Sequence, residues 1–195
     1  IKSTYYVEKA DFVACHCQSY LKKYNMIKDL KPGGKFLLNC DCSEEELENI
    51  LPDDTKKYIV ENHIEFYILD ASDISRRLGL GGRVNTALQA AFFKITNIFD
   101  PLRSLSLIKD YISKTYMKKG QDIVKINHMC ASEGMEKVKK VDTSKAFKNF
   151  STNVENEIQN FRNKDFKNFI ENIALPISKT EGNSLPVSSF LPYVN

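Results

Sequence analysis

Four of the five cysteines occur as two Cys-x-Cys pairs, and these residues have the clearest capacity for chemistry in the chain. The pairs lie in VACHC (residues 13–17) and LLNCDC (residues 37–42), and His16 stands inside the first pair. Thiolates are suitable ligands for zinc and iron–sulfur clusters. Structural zinc sites, however, place about two to four residues between their cysteines, and cysteine is also a small apolar residue that is often buried. The pattern therefore leaves a metal or redox site and two buried strand ends open.

A glycine-rich turn followed by an arginine is the second candidate. In LGLGGRVNTALQAAFF (residues 78–93), Gly81 and Gly82 precede Arg83, and Asn85 stands at the start of an apolar helical segment. Backbone N–H groups at a helix start and a guanidinium together favour a phosphate or carboxylate ligand. The glycine spacing is not that of a dinucleotide-binding fingerprint. The alternative is a glycine cap followed by an arginine in an interdomain ion pair.

Bulk properties exclude several classes of function. The 195 residues include 28 basic and 25 acidic side chains, a net charge of +3, without a basic stripe that would indicate nucleic-acid binding. No apolar run approaches the roughly 20 residues of a membrane span. We expect neither a nucleic acid nor a membrane as partner. An odd number of cysteines without a secretory signal favours the cytoplasm. His63 and His128 lie in polar sequence, where exposure is expected, and no Ser–His–Asp set is indicated.

Strands alternate with helices up to about Leu80, and helices alone follow. This order predicts an α/β fold of three layers, α/β/α, with a mainly parallel sheet. Each Cys-x-Cys pair follows a predicted strand, and the carboxyl ends of adjacent parallel strands lie side by side, so the two pairs can approach each other. The predicted strands are residues 1–7, 10–15, 35–39 and 64–69, and the predicted helices are residues 18–30 (stopped by KPGG), a helix after Ser43, 70–80, 84–99, 101–116 and 121–138.

The composition changes near Val141, where Asn, Lys and Phe become frequent. We predict an α/β domain over residues 1–141 and a C-terminal crossover segment, helical and extended, over residues 142–195. Within that segment we expect a linker at 142–153, a helix at 154–173 and an extended, proline-containing end. Because Ile1 already lies in a predicted strand, we also expect an N-terminally truncated piece of a longer protein.

Several segments, in order, resemble pyruvate:ferredoxin (or flavodoxin) oxidoreductases. STYYVEKADFVACH (residues 3–16), LKPGGKFLLN (30–39), LGGRVNTALQAAFFKI (80–95) and KGQDIVKIN (119–127) carry the resemblance, which covers nearly the whole chain. It points to the γ-type domain, the third in the single-chain enzymes, continuing through SLPVSSF (184–190) toward the ferredoxin-like domain. In the family, a GADG segment and a first strand–helix unit precede the point where this chain starts.

The resemblance implies an enzyme that decarboxylates pyruvate oxidatively with coenzyme A, giving acetyl-CoA and CO2. Such enzymes use thiamine diphosphate and Mg²⁺, pass electrons through 4Fe–4S clusters to ferredoxin or flavodoxin, and serve anaerobic metabolism. The cofactors are implied for the parent enzyme, a cytoplasmic homodimer, and none for this fragment. The fragment is expected to be non-catalytic, inactive alone, and in contact with other domains of the same polypeptide or complex.

The residues that match the family pattern imply which surface would contact coenzyme A or a neighbouring domain. They are Gly82, Arg83 and Asn85 in the glycine-rich turn, and His16 and Asn39 at two strand ends. Cys17, Cys40 and Asp41 depart from the family pattern, which has Asn after the first His and Ser-Pro after the strand, so no metal site is implied here.

Three other readings remain open from the residues alone. The first is a small metal- or redox-binding protein using Cys15, Cys17, Cys40 and Cys42. The second is a free-standing nucleotide-binding module, and the third is an interface domain without any ligand.

Overall fold

A four-stranded sheet forms the centre of the part of the chain that the structure describes. The computed structural model describes residues 9–147, 164–178 and 182–193. The strands are β1 (Ala10–Cys15), β2 (Leu30–Asn39), β3 (Glu65–Leu69) and β4 (Lys139–Lys140), in the spatial order β1-β2-β3-β4. The pairs β1–β2 and β2–β3 are parallel, and β3–β4 is antiparallel. The predicted strand at residues 1–7 lies outside the described residues.

The three parallel strands end level with one another. In the register, Cys15 pairs with Leu38 and Asn39 pairs with Leu69. The loops that follow the strands therefore meet at one edge, which we call the sheet rim (residues 16–19, 39–43 and 70–72). Such an edge is where open α/β sheets place their ligands.

Helices connect the strands and continue after β3. The bounds are α1 (Ser19–Lys23), α2 (Leu47–Ile50), α3 (Asp53–Glu61), α4 (Ala71–Arg77), α5 (Asn85–Thr96), α6 (Pro101–Tyr116), α7 (Gln121–Lys137), α8 (Thr143–Ala146), α9 (Lys164–Phe169) and α10 (Leu175–Ser178), with a π-helical turn at Ile170–Ala174 and 3-10 turns at Met117–Lys119, Gly182–Ser184 and Val187–Tyr193.

The sheet is buried on both faces, because successive side chains of each strand point to opposite sides. Phe36 and Leu38 of β2 pack in one cluster with residues of α1, α2, α3 and α8. Leu37, between them, packs in a second cluster with residues of α4, α5 and α7. The helix α6 packs outside α5 and α7 in a third cluster. These clusters confirm the predicted α/β/α layers and the mainly parallel sheet.

We predicted that the segment KPGG stops a helix. This was wrong, because the segment lies inside β2. The helix expected over residues 18–30 is only the five residues of α1, and the next strand begins at Leu30. The β1–β2 register shifts between Ala10 and Phe12, opposite this segment. Gly33 takes a positive φ of 71° and its N–H donates to the carbonyl of Asn62 (2.8 Å). A strand with a local bulge therefore replaces the predicted turn.

The longer helices follow the prediction closely. The helix α6 has the predicted bounds, and Asp100 accepts the N–H groups of Leu102 and Arg103 at its start (3.0 and 3.2 Å). The helices α4, α5 and α7 also lie where we predicted helices. Ser43 and Glu46 bond reciprocally through side chain and backbone, which is a capping box.

The C-terminal segment differs from the prediction where the structure describes it. The end at Val187–Tyr193 is a 3-10 helix rather than extended chain. The predicted helix at 154–173 lies partly outside the described residues, and its described part is α9 and the π-helical turn. Among the described residues, none of the helices has the length and apolar character needed to cross a membrane.

Candidate functional site

Asn39 joins three elements at the centre of the sheet rim. Its amide nitrogen donates to the carbonyl of His16 (3.0 Å) and to the hydroxyl of Ser72 (3.2 Å), and its amide oxygen accepts the N–H of Ala71 (2.9 Å). The side chain is 8% exposed. The ends of β1 and β2 and the start of α4 are thus tied by one amide. Asn39 is a scaffold residue, because its hydrogen-bonding groups are already engaged within the chain.

An open cavity of about 400 Å³ lies at the sheet rim. Its lining includes His16, Cys17, Asn39, Cys40, Ser72 and Arg76. A second cavity of about 370 Å³ adjoins it and shares Cys40, Asp41 and Asp70. Volumes of this size suit a small molecule. The structure therefore brings His16 and Asn39 to one depression, together with Ser72 and Arg76, which sequence reasoning missed.

The four cysteines of the Cys-x-Cys pairs have three different environments. Cys40 and Cys42 are paired as a disulfide. Cys15 is buried, and its thiol donates to the carbonyl of Cys17 (3.1 Å). Cys17 is exposed, with its sulfur 3.1 Å from the hydroxyl of Ser19. Within residues 9–147, 164–178 and 182–193, no group of three or more His, Cys, Asp or Glu residues is arranged to hold a metal ion.

Environment shifts the pKa values of the free thiols in opposite directions. Burial raises the pKa of Cys15, and it also raises the pKa of Cys130, which lies under α5 in the core. The Ser19 hydroxyl, the Ser19 backbone and the charge of Lys23 lower the pKa of Cys17, which is exposed. Cys17 is therefore the most reactive free thiol among the described residues, since the thiolate is the nucleophilic form.

The α4–α5 loop (residues 78–84) contains the predicted glycine–arginine turn. Gly79 and Gly81 have positive φ angles of 74° and 62°, which glycine adopts without strain. A Cβ atom at Gly82 would meet nothing within 4 Å, so this part of the backbone is open. The loop is fixed to α4, because the hydroxyl of Ser75 in that helix donates to the carbonyl of Arg83 (3.0 Å).

Arg83 and Asn85 are both exposed at the start of α5. In the described part of the chain, the guanidinium of Arg83 takes part in none of the salt bridges, which involve Arg76 and Arg77 of the neighbouring helix instead. The described residues therefore do not support the alternative that Arg83 is buried in an ion pair. An exposed guanidinium beside the N-terminal end of a helix can receive an anion.

The C-terminal end of α5 lies against β2. Lys35, at the start of the regular part of β2, donates through Nζ to the carbonyl of Ile95 near the C-terminal end of α5 (2.7 Å). At the other end of α5, Gly82, Arg83 and Asn85 do not line the rim cavity. The predicted site residues thus form two groups rather than a single crevice.

The histidine predictions have two outcomes. His63 is exposed, as expected, and has a positive φ of 52°. His128 is half-buried, because its Nε2 lies 3.0 Å from the hydroxyl of Ser113 and 2.9 Å from the carbonyl of Lys109. The prediction of an exposed His128 was wrong, since the side chain joins α7 to α6.

The fold and the rim are those of a three-layer α/β domain, and sequence similarity identifies its family. Residues 1–137 match the family described as pyruvate ferredoxin/flavodoxin oxidoreductase. The chain belongs to this family, which confirms the resemblance found from its motifs.

Known relatives align along almost the whole chain. The chain is 42% identical over 190 residues to the pyruvate-flavodoxin oxidoreductase of Enterobacter agglomerans, covering 97% of this chain and 16% of that protein. It is 37% identical over 196 residues to the pyruvate:ferredoxin oxidoreductase of Moorella thermoacetica, covering 98% and 16%. The chain thus spans about a sixth of the length of these relatives.

A solved structure shares the fold. The pyruvate oxidoreductase subunit PORC of Thermotoga maritima matches with a TM-score of 0.54 and 22% identity, over 68% of this chain and 66% of that one. At this identity the likeness bears on the fold alone.

Proposed function

We propose that this chain is a segment of an enzyme that oxidises pyruvate with coenzyme A to acetyl-CoA and CO2. The segment performs no bond-breaking step itself. It shapes the approach of coenzyme A and forms contacts with other parts of the enzyme. Membership of the family and the names of the relatives support the reaction. Thiamine diphosphate, Mg²⁺ and 4Fe–4S clusters belong, in this proposal, to other parts of a cytoplasmic, homodimeric parent enzyme.

The α4–α5 loop is the proposed surface for coenzyme A. Coenzyme A carries several phosphates. The observation that carries the proposal is the guanidinium of Arg83, which is exposed beside the start of α5 and enters no salt bridge within the described ranges. The open backbone at Gly82 leaves room for a phosphate beside the guanidinium, whereas the N–H groups of Arg83 and Val84 already donate to the carbonyls of Leu80 and Gly82. Asn85 adds an exposed amide two residues further on, at the first residue of α5. The loop gains its effect by positioning the thiol-bearing substrate.

His16 and Asn39 have a different place in this proposal. The ring of His16 is exposed in the rim cavity, where it can contact a substrate or a neighbouring domain. The amide of Asn39 holds the loop that carries His16. Asn39 is therefore a positioning residue.

An apolar face on α6 and the preceding loop is the proposed contact with another part of the same enzyme. Phe99, Leu107 and Tyr111 are 42%, 47% and 63% exposed, and they line one open depression. Exposed apolar side chains that cluster in this way mark interaction surfaces. The relatives are about six times as long as this chain, so the family supplies ample polypeptide to cover the face.

Replacing Arg83 by alanine in the whole enzyme tests the role of the loop. Loss of one charged contact to phosphate costs about 1.5–3 kcal/mol, which corresponds to a rise of roughly 10- to 100-fold in KM for coenzyme A. We expect KM for pyruvate to stay within about twofold of the wild type. Steady-state kinetics with each substrate varied in turn provide the measurement.

The matched control is Lys57→Ala, which removes an exposed positive charge from α3 in the opposite layer. It should leave both KM values unchanged. Equal increases in the two KM values for Arg83→Ala, or no increase in either, would refute the proposed role of Arg83.

Replacing Leu107 by aspartate tests the α6 face. The charge should prevent the face from being covered, and limited proteolysis of the whole enzyme should then cleave between this domain and its neighbours faster. Ser106→Asp, at an exposed polar position on the same helix that does not line the depression, is the control. Identical cleavage rates for the two variants would contradict interdomain contact at this face.

A further inference from the structure

We propose that the sheet rim is a thiol–disulfide exchange site, in which Cys17 is the entry thiol and Cys40–Cys42 is the exchanging pair. The external co-reactant is a low-molecular-weight disulfide or thiol. This inference does not depend on the proposed role in coenzyme A binding, because it rests on the three sulfur atoms of the rim.

The tertiary structure brings the entry thiol and the pair to the same place. Cys17 follows β1 and Cys40 follows β2, and both line the rim cavity of about 400 Å³. The amide nitrogen of Gln18, the residue next to Cys17, lies 4.0 Å from the sulfur of Cys42. The exposed thiol of Cys17 and one cysteine of the disulfide, Cys40, therefore line one cavity with room for a small molecule.

The cysteines differ in the access that exchange requires. Cys17 is exposed, Cys42 is half-buried, and Cys40 is 7% exposed at the cavity wall. Cys15 and Cys130 are fully buried. A small disulfide can reach Cys17 directly, whereas it meets Cys40 and Cys42 less readily. Attack on an external disulfide thus begins at Cys17.

The surroundings of Cys17 favour its thiolate form. Its sulfur is hydrogen-bonded to Ser19, and Lys23 lies near enough to add a favourable charge. Both lower the pKa of Cys17, and a thiolate is the attacking species in exchange. At the second cavity, Lys137 and Lys139 share the lining with Cys42, but so do Asp70 and Asp73.

Oxidation of the reduced rim by a disulfide RSSR takes three exchange steps. The Cys17 thiolate attacks one sulfur of RSSR, forming Cys17–S–SR and releasing RS⁻. The Cys40 thiolate then attacks the Cys17 sulfur, forming a Cys17–Cys40 disulfide and releasing the second RS⁻. The Cys42 thiolate finally attacks the Cys40 sulfur, which forms Cys40–Cys42 and regenerates the Cys17 thiolate.

The electrons and protons of this sequence balance. Two electrons pass from the Cys40–Cys42 dithiol to RSSR, the two thiol protons go to solvent or to the leaving thiolates, and two RSH are produced. Reduction by an excess of RSH follows the same steps in reverse. Disulfides that form in reducing compartments are usually transient and either catalytic or sensing, which fits a pair that exchanges.

Oxidised glutathione provides the test, applied to the reduced whole enzyme under anaerobic conditions. Samples are quenched with an alkylating reagent, and peptide mass spectrometry follows each cysteine with time. In the wild type we expect a transient glutathione adduct on Cys17 and accumulation of Cys40–Cys42. Cys15 and Cys130 are internal controls and should stay unmodified in the native protein, because they are buried.

Two variants decide the outcome. Cys17→Ser, at an exposed position, should slow oxidation of Cys40 and Cys42 by about tenfold or more, because the accessible entry thiol is gone. Cys42→Ser should trap the intermediate as a Cys17–Cys40 cross-linked peptide. Oxidation of the pair at the wild-type rate in Cys17→Ser would overturn the proposal. Absence of the cross-linked peptide in Cys42→Ser would overturn it as well.

Discussion

The sheet rim and the α4–α5 loop use their polar groups in opposite ways. At the rim, the amide of Asn39 makes three hydrogen bonds within the chain. In the loop, Arg83 contributes its backbone carbonyl to Ser75, and its guanidinium enters none of the salt bridges among the described residues. The comparison teaches that satisfaction of hydrogen bonds, rather than residue type, separates a scaffold residue from one available to a ligand.

The same comparison applies to the sulfur atoms of the rim. Cys40 and Cys42 are paired with each other, and Cys15 is enclosed, but Cys17 is open to solvent. Two identical Cys-x-Cys patterns thus have different fates. The difference arises because the strands end at different points of the pattern. The first cysteine of the first pair, Cys15, is the last residue of β1, whereas both cysteines of the second pair follow Asn39, the last residue of β2.

The largest expected effect is a loss of stability on replacing Asn39 by alanine, compared with the same replacement at Asn85. Asn39→Ala leaves the buried N–H of Ala71 without its partner, and each such loss costs about 1–3 kcal/mol. With the bond to His16 also lost, we expect local destabilisation of about 3 kcal/mol. Asn85→Ala, at an exposed position, should change stability by less than about 0.5 kcal/mol.

Hydrogen–deuterium exchange of the whole enzyme measures this difference. Peptides that cover residues 10–45 and 65–77 should exchange faster in Asn39→Ala and remain unchanged in Asn85→Ala. If both variants exchange like the wild type, the assignment of Asn39 as the joint of the rim is wrong.

A second prediction concerns the helix pair that supports the α4–α5 loop. A Cβ atom at Gly134 of α7 would lie 2.7 Å from the Cα of Ala87 in α5, a backbone atom that cannot move alone. Gly134→Ala should therefore separate the two helices and cost about 1–3 kcal/mol. The loss should be visible as faster exchange in α5 and α7.

The layer of helices on the other face of the sheet provides the comparison for Gly134→Ala. Because α1 and α3 pack on the other face of the sheet, their exchange should change less than that of α5. Gly82→Ala, where a Cβ atom meets nothing within 4 Å, serves as the control and should leave α7 unaffected. Equal destabilisation of both layers would show that the two regions do not respond separately.

A smaller effect is expected from salt. If Arg83 meets phosphate at an exposed site, raising the ionic strength from about 0.05 to 0.5 M should weaken the attraction, because the screening length shortens severalfold. KM for coenzyme A should then rise several-fold in the wild type and much less in Arg83→Ala. A salt dependence that is the same in both proteins would locate the charge effect elsewhere.

The smallest effect concerns the pKa of Cys17. Ser19 is the main cause of its lowered pKa, so Ser19→Ala should raise that pKa toward its ordinary value. At about pH 7 the thiolate fraction falls, and alkylation of Cys17 by iodoacetamide should slow by a few-fold. At about pH 10 both proteins are mostly thiolate and should react at similar rates.

Ser106→Ala on α6, far from the rim in sequence, is the control for this experiment. Its alkylation profile should match that of the wild type. A wild-type profile in Ser19→Ala would mean that the Ser19 hydroxyl does not set the reactivity of Cys17.

Much of the fold could be predicted from local patterns. The strand at Ala10–Cys15 and the helix at Pro101–Tyr116 have the predicted bounds, since apolar periodicity and a proline at the helix start act within a few residues. KPGG was misjudged because glycine and proline also occur in bulges. Only pairing with β1 and the bond from Gly33 to Asn62 reveal the bulge.

The candidate site was predicted in part. Residue type identified Arg83 and His16, and the structure places both at the surface. The enclosure of Asn39 and the burial of His128 were not predictable, because their partners lie on other elements. The proximity of Arg76 to the rim was likewise hidden, since it depends on how α4 leaves β3.

The residues by themselves determined the alternation of the three parallel strands with helices, the two-sided sheet and the family, because these follow from short-range periodicity and from motifs read in order. They did not reveal β4, since this two-residue strand is defined only by its pairing with β3. Tertiary structure alone decided which polar side chains are hydrogen-bonded within the chain and which are exposed to solvent. Asn39 reaches partners 23 and 32 residues away in the chain, and such distances carry no local signal. Cys17 and Cys40 share a cavity for the same reason, since parallel strands bring together segments that the chain keeps apart.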